Sequence, residues 1–350
     1  MPWTKIYPDR SEFERACKTA GRSLRGITYR DAIKEALLQL MEKDRRVFVM
    51  GEGVDDAPGI FGTTKGLDKR FGKKRVIDTP VAENGMTGVA IGAALGGMRP
   101  IMVHQRMDFM PLSMDQIINH LSKWKYMFGG KVNIPLTIRS IIGRGWGSGA
   151  QHSQNLQALF MHIPGLKVIM PATPYDAKGL LIASVKDENP IIFIEHRWLY
   201  GHVGYVPEKM YSVPIGQGIV RRRGKDVTVV GTSLMVFEAI KASEILQKEN
   251  IDIEVIDLRS LKPFDEELVF KSVRKTGRLV VADTGWKTCG IAAEVIATTS
   301  ERLFKFLKGP TLRVSLPDAP TPASSVLEKA FYPGAKEIIS AVKKVVKSSR

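Results

Sequence analysis

Apolar residues in this chain fall into short, dense runs set apart by small, charged or turn-forming residues. The runs at Arg46–Met50, Pro100–His104, Ile134–Arg139, Gly165–Met170 and Ile191–Ile194 carry few polar interruptions. That is the pattern of strands covered on both faces. A shorter strand is expected at Arg75–Asp78. Between these runs the spacing changes to that of helices. Thr28 is placed to cap a helix whose Ala32, Ile33, Ala36, Leu37 and Leu40 share one face. Thr173-Pro174 opens another, with proline in its first turn. After Asn84-Gly85 the small residues Gly85, Gly88, Ala90, Gly92, Ala93 and Ala94 recur at spacings that let a helix lie close to a neighbour or a ligand.

Strand–helix alternation through residue 200 predicts a parallel sheet with helices on both faces. Residues 201–225 are rich in glycine, proline and charge and read as a linker. A second α/β unit follows, with strands at Asp226–Gly231, Ile251–Leu258, Arg274–Asp283 and Leu312–Leu316. Its helices are expected at Leu234–Gln247, Gly290–Leu307 and the C-terminus. The division drawn from the sequence is a basic arm over 1–26, a first domain over 27–203, a linker over 204–225 and a second domain over 226–350. Within the arm, Ser11–Cys17 is a candidate short helix, to which no chemistry is assigned.

A length of 350 residues suits two such domains. No run of apolar residues is long enough to span a membrane, and no secretory signal is expected. Cys17 and Cys289 lie far apart, which fits a reducing compartment, the cytoplasm, and no metal spacing. The net charge of +16 favours acidic partners. Apart from Arg221-Arg222-Arg223 and the C-terminal tail, the basic residues are dispersed, so nucleic-acid binding is not expected.

Candidate chemistry is sparse. Glu83 stands at a strand-to-helix junction and has two readings. It is a carboxylate stabilising a helix N-terminus, or a buried acid that exchanges a proton with a heterocycle nitrogen. The glycine-rich Gly59–Gly72 stretch lacks the Lys-Ser/Thr of a phosphate-cradling loop. Gly143–Gln154 is a loop with unusual backbone angles that delivers His152 to the start of the next helix. A lone histidine is most often structural, as His104, His120 and His202 are taken to be. Asp187-Glu188-Asn189 reads as a turn.

The run Asp78-Thr79-Pro80-Val81-Ala82-Glu83, with Gly92-Ala93-Ala94, Gly97-Met98-Arg99-Pro100, Asp108-Phe109, Asp115–Asn119 and Tyr126–Gly130, resembles the β subunit of the thiamin-diphosphate-dependent decarboxylase component of 2-oxo acid dehydrogenase complexes. The likeness extends from Ile27 over nearly the whole chain. It implies a pyrimidine-binding thiamin-diphosphate fold followed by a transketolase C-terminal-like α/β domain. It places Glu83 against N1′ of the cofactor's aminopyrimidine and Phe109 on the same ring. Val81 and Gln105 complete the implied cofactor contacts, and His152 becomes an active-site histidine facing the substrate. Gly51-Glu52 matches a family pair near the active-site mouth, and His162 and His196 match weaker positions. The same likeness implies a structural potassium ion held at Leu136, Ser184, Val185, Asp187 and Asn189. It implies an oxidoreductase that decarboxylates a 2-oxo acid of the pyruvate type and passes the acyl group to a lipoyl carrier on an acyltransferase core. The alternative within the fold is a transketolase-like carboligase half that passes its fragment to an aldehyde, ketone or sugar. A non-catalytic scaffold is the third reading.

No Gly-Asp-Gly occurs in the sequence. In the family that motif starts the magnesium and diphosphate half-site. A separate α subunit is therefore expected to hold most of the Mg2+ site, in an α2β2 heterotetramer with the cofactor shared between chains. The sequence departs from the family's commonest form at His104-Gln105-Arg106-Met107. Arg106 and the Arg144/Trp146 loop add cations and a bulky ring near the expected cleft mouth.

Overall fold

The dense apolar runs become strands whose residues are covered on both sides. Val47–Gly51, Thr137–Ile142 and Ile191–His196 are buried at every position. The computed structural model describes residues 5–143 and 147–348. Among them, the first compact unit runs to Gly143 and resumes over Leu159–Ile215; the second takes residues 147–158 and everything from Gly216. The Arg144/Trp146 pair lies outside the described residues.

The first unit contains α1 (Arg10–Thr19), β1 (Gly26–Thr28), α2 (Tyr29–Lys43), β2 (Val47–Gly51), α3 (Leu67–Phe71), β3 (Val76–Asp78), α4 (Glu83–Leu95), β4 (Arg99–His104), α5 (Trp124–Met127) and β5 (Thr137–Ile142). After α6 (Gln157–His162) come β6 (Lys167–Ile169), α7 (Pro174–Lys186), β7 (Ile191–His196) and β8 (Val203–Tyr205). Six of these strands form a wholly parallel sheet in the order β6-β7-β5-β4-β2-β3. The chain steps outward from β2 to β3, then crosses back so that β4 lies on the other side of β2. That reversal opens a crevice at the carboxyl ends of β2 and β4, where ligands bind in open α/β sheets.

The caps behave as the sequence predicts. Thr28 Oγ1 accepts from the Asp31 amide at 3.1 Å, and Thr173 Oγ1 from the Asp176 amide at 3.2 Å. The helix expected within the arm runs over Arg10–Thr19 and is capped by Asp9, whose side chain accepts from the Glu12 amide. The strand expected at Ile134–Arg139 is displaced to Thr137–Ile142. Pro135 has no N–H to give a ladder, and Leu136 N turns back to Ile134 O at 2.8 Å. Phe109 lies past β4 in the 3₁₀ turn Met107–Ser113.

The second unit contains β9 (Ile219–Arg222), β10 (Val227–Gly231), α8 (Leu234–Lys248), β11 (Ile253–Asp257), β12 (Ser260–Lys262), α9 (Glu266–Thr276), β13 (Leu279–Trp286), α10 (Ile291–Leu303), β14 (Leu312–Leu316), α11 (Ser325–Phe331) and α12 (Ala335–Lys347). Its five-stranded sheet runs β14-β13-β10-β11-β9, with β9 antiparallel to β11. Val229, Met235, Ala239, Val255, Val280, Ile338 and Val342 form its core.

Two sequence expectations are corrected here. The Arg221–Arg223 run read as linker contains an edge strand, and Arg221 pairs with buried Asp257 at 2.7 Å. The strand placed at Arg274–Asp283 begins at Leu279, because Arg274–Thr276 closes α9. Asp265 caps α9 by accepting from the Leu268 amide, and Gly277, at φ +70°, stops it. Those signals were readable in the sequence.

Candidate active site

The crevice at the β2/β4 reversal is lined by Gly51, Glu52, Thr79, Pro80, Glu83, Met86, Met102, Val103, His104, Gln105 and Phe109. Each lining residue sits on an element whose end the sheet brings to this edge. β2 closes on Gly51, which passes so near β4 that a Cβ there would lie 2.3 Å from Val103 O. No side chain fits, so the glycine sets the width of the crevice floor. Glu52 follows at once. Its carbonyl accepts from Gln105 Nε2 at 2.7 Å, which orients Gln105 across the cleft. β3 closes on Asp78, whose Oδ1 accepts from Gly53 N at 2.7 Å and ties the two strand ends together.

Thr79-Pro80 then turns the chain into α4, and Glu83 is its first residue. Glu83 is 9% exposed. The free amides and dipole of the helix start favour its carboxylate there. The preceding residue, Ala82, offers no side-chain cap. One turn on, Thr87 Oγ1 donates to Ser113 Oγ at 3.0 Å, fixing α4 to the 3₁₀ turn that carries Phe109. The two readings of Glu83 thus meet in one place: it opens a helix and it is buried in the cleft wall.

The electrostatics are those of a confined acidic site. Burial, and then the charges of Glu83 and Asp78, hold the Glu52 carboxyl above its ordinary range. His104, fully buried at the end of β4, is pushed down to about 4 by burial and stays neutral. This has a consequence for acid stability. An unfolded histidine titrates near 6.5, so below that pH the unfolded chain binds the proton that folded His104 refuses. Folding stability should fall by up to about 1.4 kcal/mol per unit from pH 6.5 towards 4, roughly 3 kcal/mol in all, and this contribution should level off below. Urea unfolding of the wild type and His104→Gln at pH 7, 6, 5 and 4 checks it: the variant should show a shallower dependence.

Glu83, Gln105 and Phe109 are brought together as the sequence predicts, with Glu52, Met86 and His104 beside them. His104 was read as structural from the sequence; its place on this wall follows from where β4 ends. Val81 does not line the cleft and is 79% exposed. His152 is exposed, belongs to the second unit and is not among the residues that line the crevice. Its segment is anchored there by Asn155 Nδ2, which donates to Thr284 O at 2.8 Å, and by Gln157 Nε2, which donates to Asp283 Oδ1 at 3.0 Å.

The Glu83 wall fits an aminopyrimidine. A buried carboxylate can meet a ring nitrogen, while the Phe109 ring and the Met86 and Met102 thioethers suit an aromatic face. The positions implied for potassium are engaged within the chain. Val185 O and Asp187 O accept from Arg99 Nη1 at 2.9 and 3.2 Å. The Asp187 carboxylate pairs with Lys167, and Asn189 Oδ1 accepts from Lys125 Nζ at 2.9 Å. Leu136 O and Ser184 O accept backbone amides. Arg99 is in turn paired with Glu188 and Lys167 with Asp187, so these donors already have protein partners. No group of three His, Cys, Asp or Glu that could hold a metal ion occurs among the described residues. No helix among them is long and apolar enough to cross a membrane.

Comparison with known proteins places both units in known families. The pyrimidine-binding domain of transketolase matches residues 25–202, and the transketolase C-terminal domain matches 216–338. The acetoin:2,6-dichlorophenolindophenol oxidoreductase subunit beta of Cupriavidus necator is 44% identical, covering 93% of this chain and 99% of its own length. The corresponding Bacillus subtilis subunit is 42% identical over 90% of this chain and 96% of its own. The pyruvate dehydrogenase E1 component subunit beta of Rickettsia felis is 43% identical over 91% and 98%. A solved split-gene transketolase, described as an inactive beta4 tetramer, superposes with a TM-score of 0.75 at 24% identity, covering 93% of this chain and all of that one; it supports the fold. The chain belongs to the transketolase family, within the group formed by the β subunits of pyruvate dehydrogenase E1 components and acetoin oxidoreductases.

Proposed function

We propose that this chain is the β subunit of a thiamin-diphosphate-dependent 2-oxo acid dehydrogenase of the pyruvate type, acting in the cytoplasm. The observation that carries the reading is buried Glu83 facing the same cleft as Phe109 and Gln105. When bound, thiamin diphosphate supplies the carbon nucleophile that adds to a 2-oxo group and lets carbon dioxide leave.

The work of this chain is positional and protonic. Glu83 holds and shares a proton at N1′ of the aminopyrimidine. Phe109 and Met86 wall the ring and exclude water from the carboxyl. Gln105, anchored on the Glu52 carbonyl, limits the ring's tilt. The resemblance assigns His152 the task of orienting the substrate carboxylate or the acyl acceptor.

A companion α subunit completes the enzyme. It brings the Gly-Asp-Gly half-site for Mg2+ and the diphosphate, which this sequence does not contain. An α2β2 assembly is supported by apolar side chains left in water: Val89 on α4 is 56% exposed, and Tyr126 and Met127 are 89% and 64% exposed. The acyl group passes to a lipoyl carrier on an acyltransferase core. The acetoin oxidoreductase relatives favour acetoin as a second substrate.

Co-expression with the candidate α chain, followed by assay of pyruvate, longer 2-oxo acids and acetoin with a dye acceptor, tests the reading. Turnover should require both chains and added thiamin diphosphate. Turnover by the isolated β chain would overturn it.

A further inference from the structure

We propose that the second unit binds an alkali-metal cation beside Asp283, held by that carboxylate and by the side-chain oxygens of Asn155 and Gln157. None of these residues lines the Glu83 crevice, and the site stands whatever reaction the enzyme carries out.

Asp283 belongs to β13 and is 1% exposed. Thr232 Oγ1 donates to its Oδ1 at 2.8 Å. Gln157 Nε2 donates to Oδ1 at 3.0 Å and lies 3.3 Å from Oδ2. Burial raises the Asp283 pKa, while these two side chains and the backbone amides of Thr284 and Gly285 pull it back. Every one of those donors is neutral. Among the described residues, then, the carboxylate has hydrogen bonds but no counter-charge. A charge out of water without one is expensive.

The segment 153–157 of the same unit brings oxygen atoms to this carboxylate. Ser153, Asn155 and Gln157 are buried and the residues between them half-buried, the alternation of a stretch with one inward side. The carboxamide nitrogens are engaged: Gln157 Nε2 with Asp283, and Asn155 Nδ2 with Thr284 O at 2.8 Å. Their oxygens, Gln157 Oε1 and Asn155 Oδ1, are buried without a hydrogen-bond partner, as is Ser153 Oγ. Oxygen and nitrogen of one carboxamide lie about 2.2 Å apart, so Gln157 Oε1 is within about 5 Å of Asp283 Oδ1. That is the span of two oxygens sharing a hard cation at about 2.5 Å from each. A Cβ on Gly285 would lie 2.8 Å from Asp283 Oδ2 and 2.9 Å from Gln157 Nε2, so a glycine there keeps side-chain atoms off the carboxylate.

Ligand type and charge select the ion. A donor set made only of oxygens suits a hard cation. One carboxylate among neutral oxygens is balanced by a single positive charge. Mg2+ would leave an excess charge buried and demands near-ideal octahedral geometry. An alkali ion supplies the counter-charge and gives the carboxamide oxygens a partner. It also fastens the stretch directly after His152 to Thr232, which follows β10, and to Asp283 in β13.

The test uses the full-length chain, dialysed into choline chloride and returned to NaCl or KCl at constant ionic strength. One of the two ions should raise the melting temperature saturably, by about 2–5 °C, with its half-effect in the millimolar range. Asp283→Asn keeps the shape of the side chain and removes its charge. It should abolish the response, and in choline it should melt at or above the wild type because no buried charge is left unbalanced. Asp187→Asn, in the first unit, should keep the full response. Amide hydrogen exchange gives a local readout that needs no variant: protection of residues 153–157 should increase when the ion is added. A wild type whose melting and exchange ignore both ions would overturn the proposal and leave Asp283 neutralised by a proton. A response lost in D187N and kept in D283N would put the ion in the first unit and overturn it equally.

Discussion

Glu83→Gln, assembled with its companion subunit, should lose two to four orders of magnitude in turnover, the usual worth of a positioned acid–base group. The amide is nearly isosteric with the carboxyl, so the helix start and the cleft wall should keep their shape. It still offers an oxygen to the cofactor ring but cannot share a proton with N1′. Thermal stability and co-purification with the partner are therefore expected to stay near wild type while the rate collapses. Steady-state rates with saturating thiamin diphosphate, beside calorimetric titration of the cofactor, separate the two effects. Full activity in E83Q would remove Glu83 from proton transfer and leave it as a helix-terminal carboxylate. Glu52, already held towards its neutral form by burial and by the Glu83 charge, offers a second readout. Neutralising Glu83 should lower the Glu52 pKa, because one of the charges that raises it is gone.

The largest stability effect is expected at Arg139. This arginine of β5 and Glu195 of β7 are both fully buried and meet diagonally across adjacent strands, Arg139 lying in register with Phe193 and Glu195 with Ile141. Arg139 Nε and Nη2 donate to the two Glu195 oxygens at 2.6 and 3.0 Å, and Nη2 also reaches Thr63 Oγ1 at 3.0 Å. Tyr200 donates to Glu195 Oε2 at 2.7 Å, and its hydroxyl is held far above its ordinary pKa by burial and by the Glu195 charge. Breaking a buried pair from one side strands the other charge and costs about 3–5 kcal/mol. Arg139→Met should therefore lower stability by that amount. It also frees the Gly59–Thr64 loop from the sheet, so thiamin-dependent activity should become labile to mild heating. The double variant Arg139→Met/Glu195→Gln should recover part of the loss, since no uncompensated charge remains. Urea midpoints for the two single variants and the pair measure the coupling. Additive losses would show that the two side chains act independently.

These two sites mark where sequence reasoning succeeds and where it stops. Alternating buried strands and capped helices were legible because their causes are local. β-branched runs want both faces covered, and Thr28, Thr173 and Pro174 satisfy helix ends within a few residues of themselves. Glu83 and Phe109 were singled out through the family likeness carried by Asp78-Thr79-Pro80-Val81-Ala82-Glu83 and by Asp108-Phe109, and both line the crevice.

What the sequence could not decide was long-range pairing of polar groups. Arg139 reads as the polar end of an apolar run until β7 supplies Glu195 from 56 residues away. Arg221 reads as part of a solvated linker until Asp257 meets it in the second sheet. Arg106 and Arg197, ninety-one positions apart by number, share the Phe61 ring because β4 and β7 end at one edge of the sheet. Hydrophobic burial follows a period that any stretch of chain displays by itself. A buried charge is tolerable only beside its partner, and which partner that is depends on strand order, a property of the folded chain as a whole.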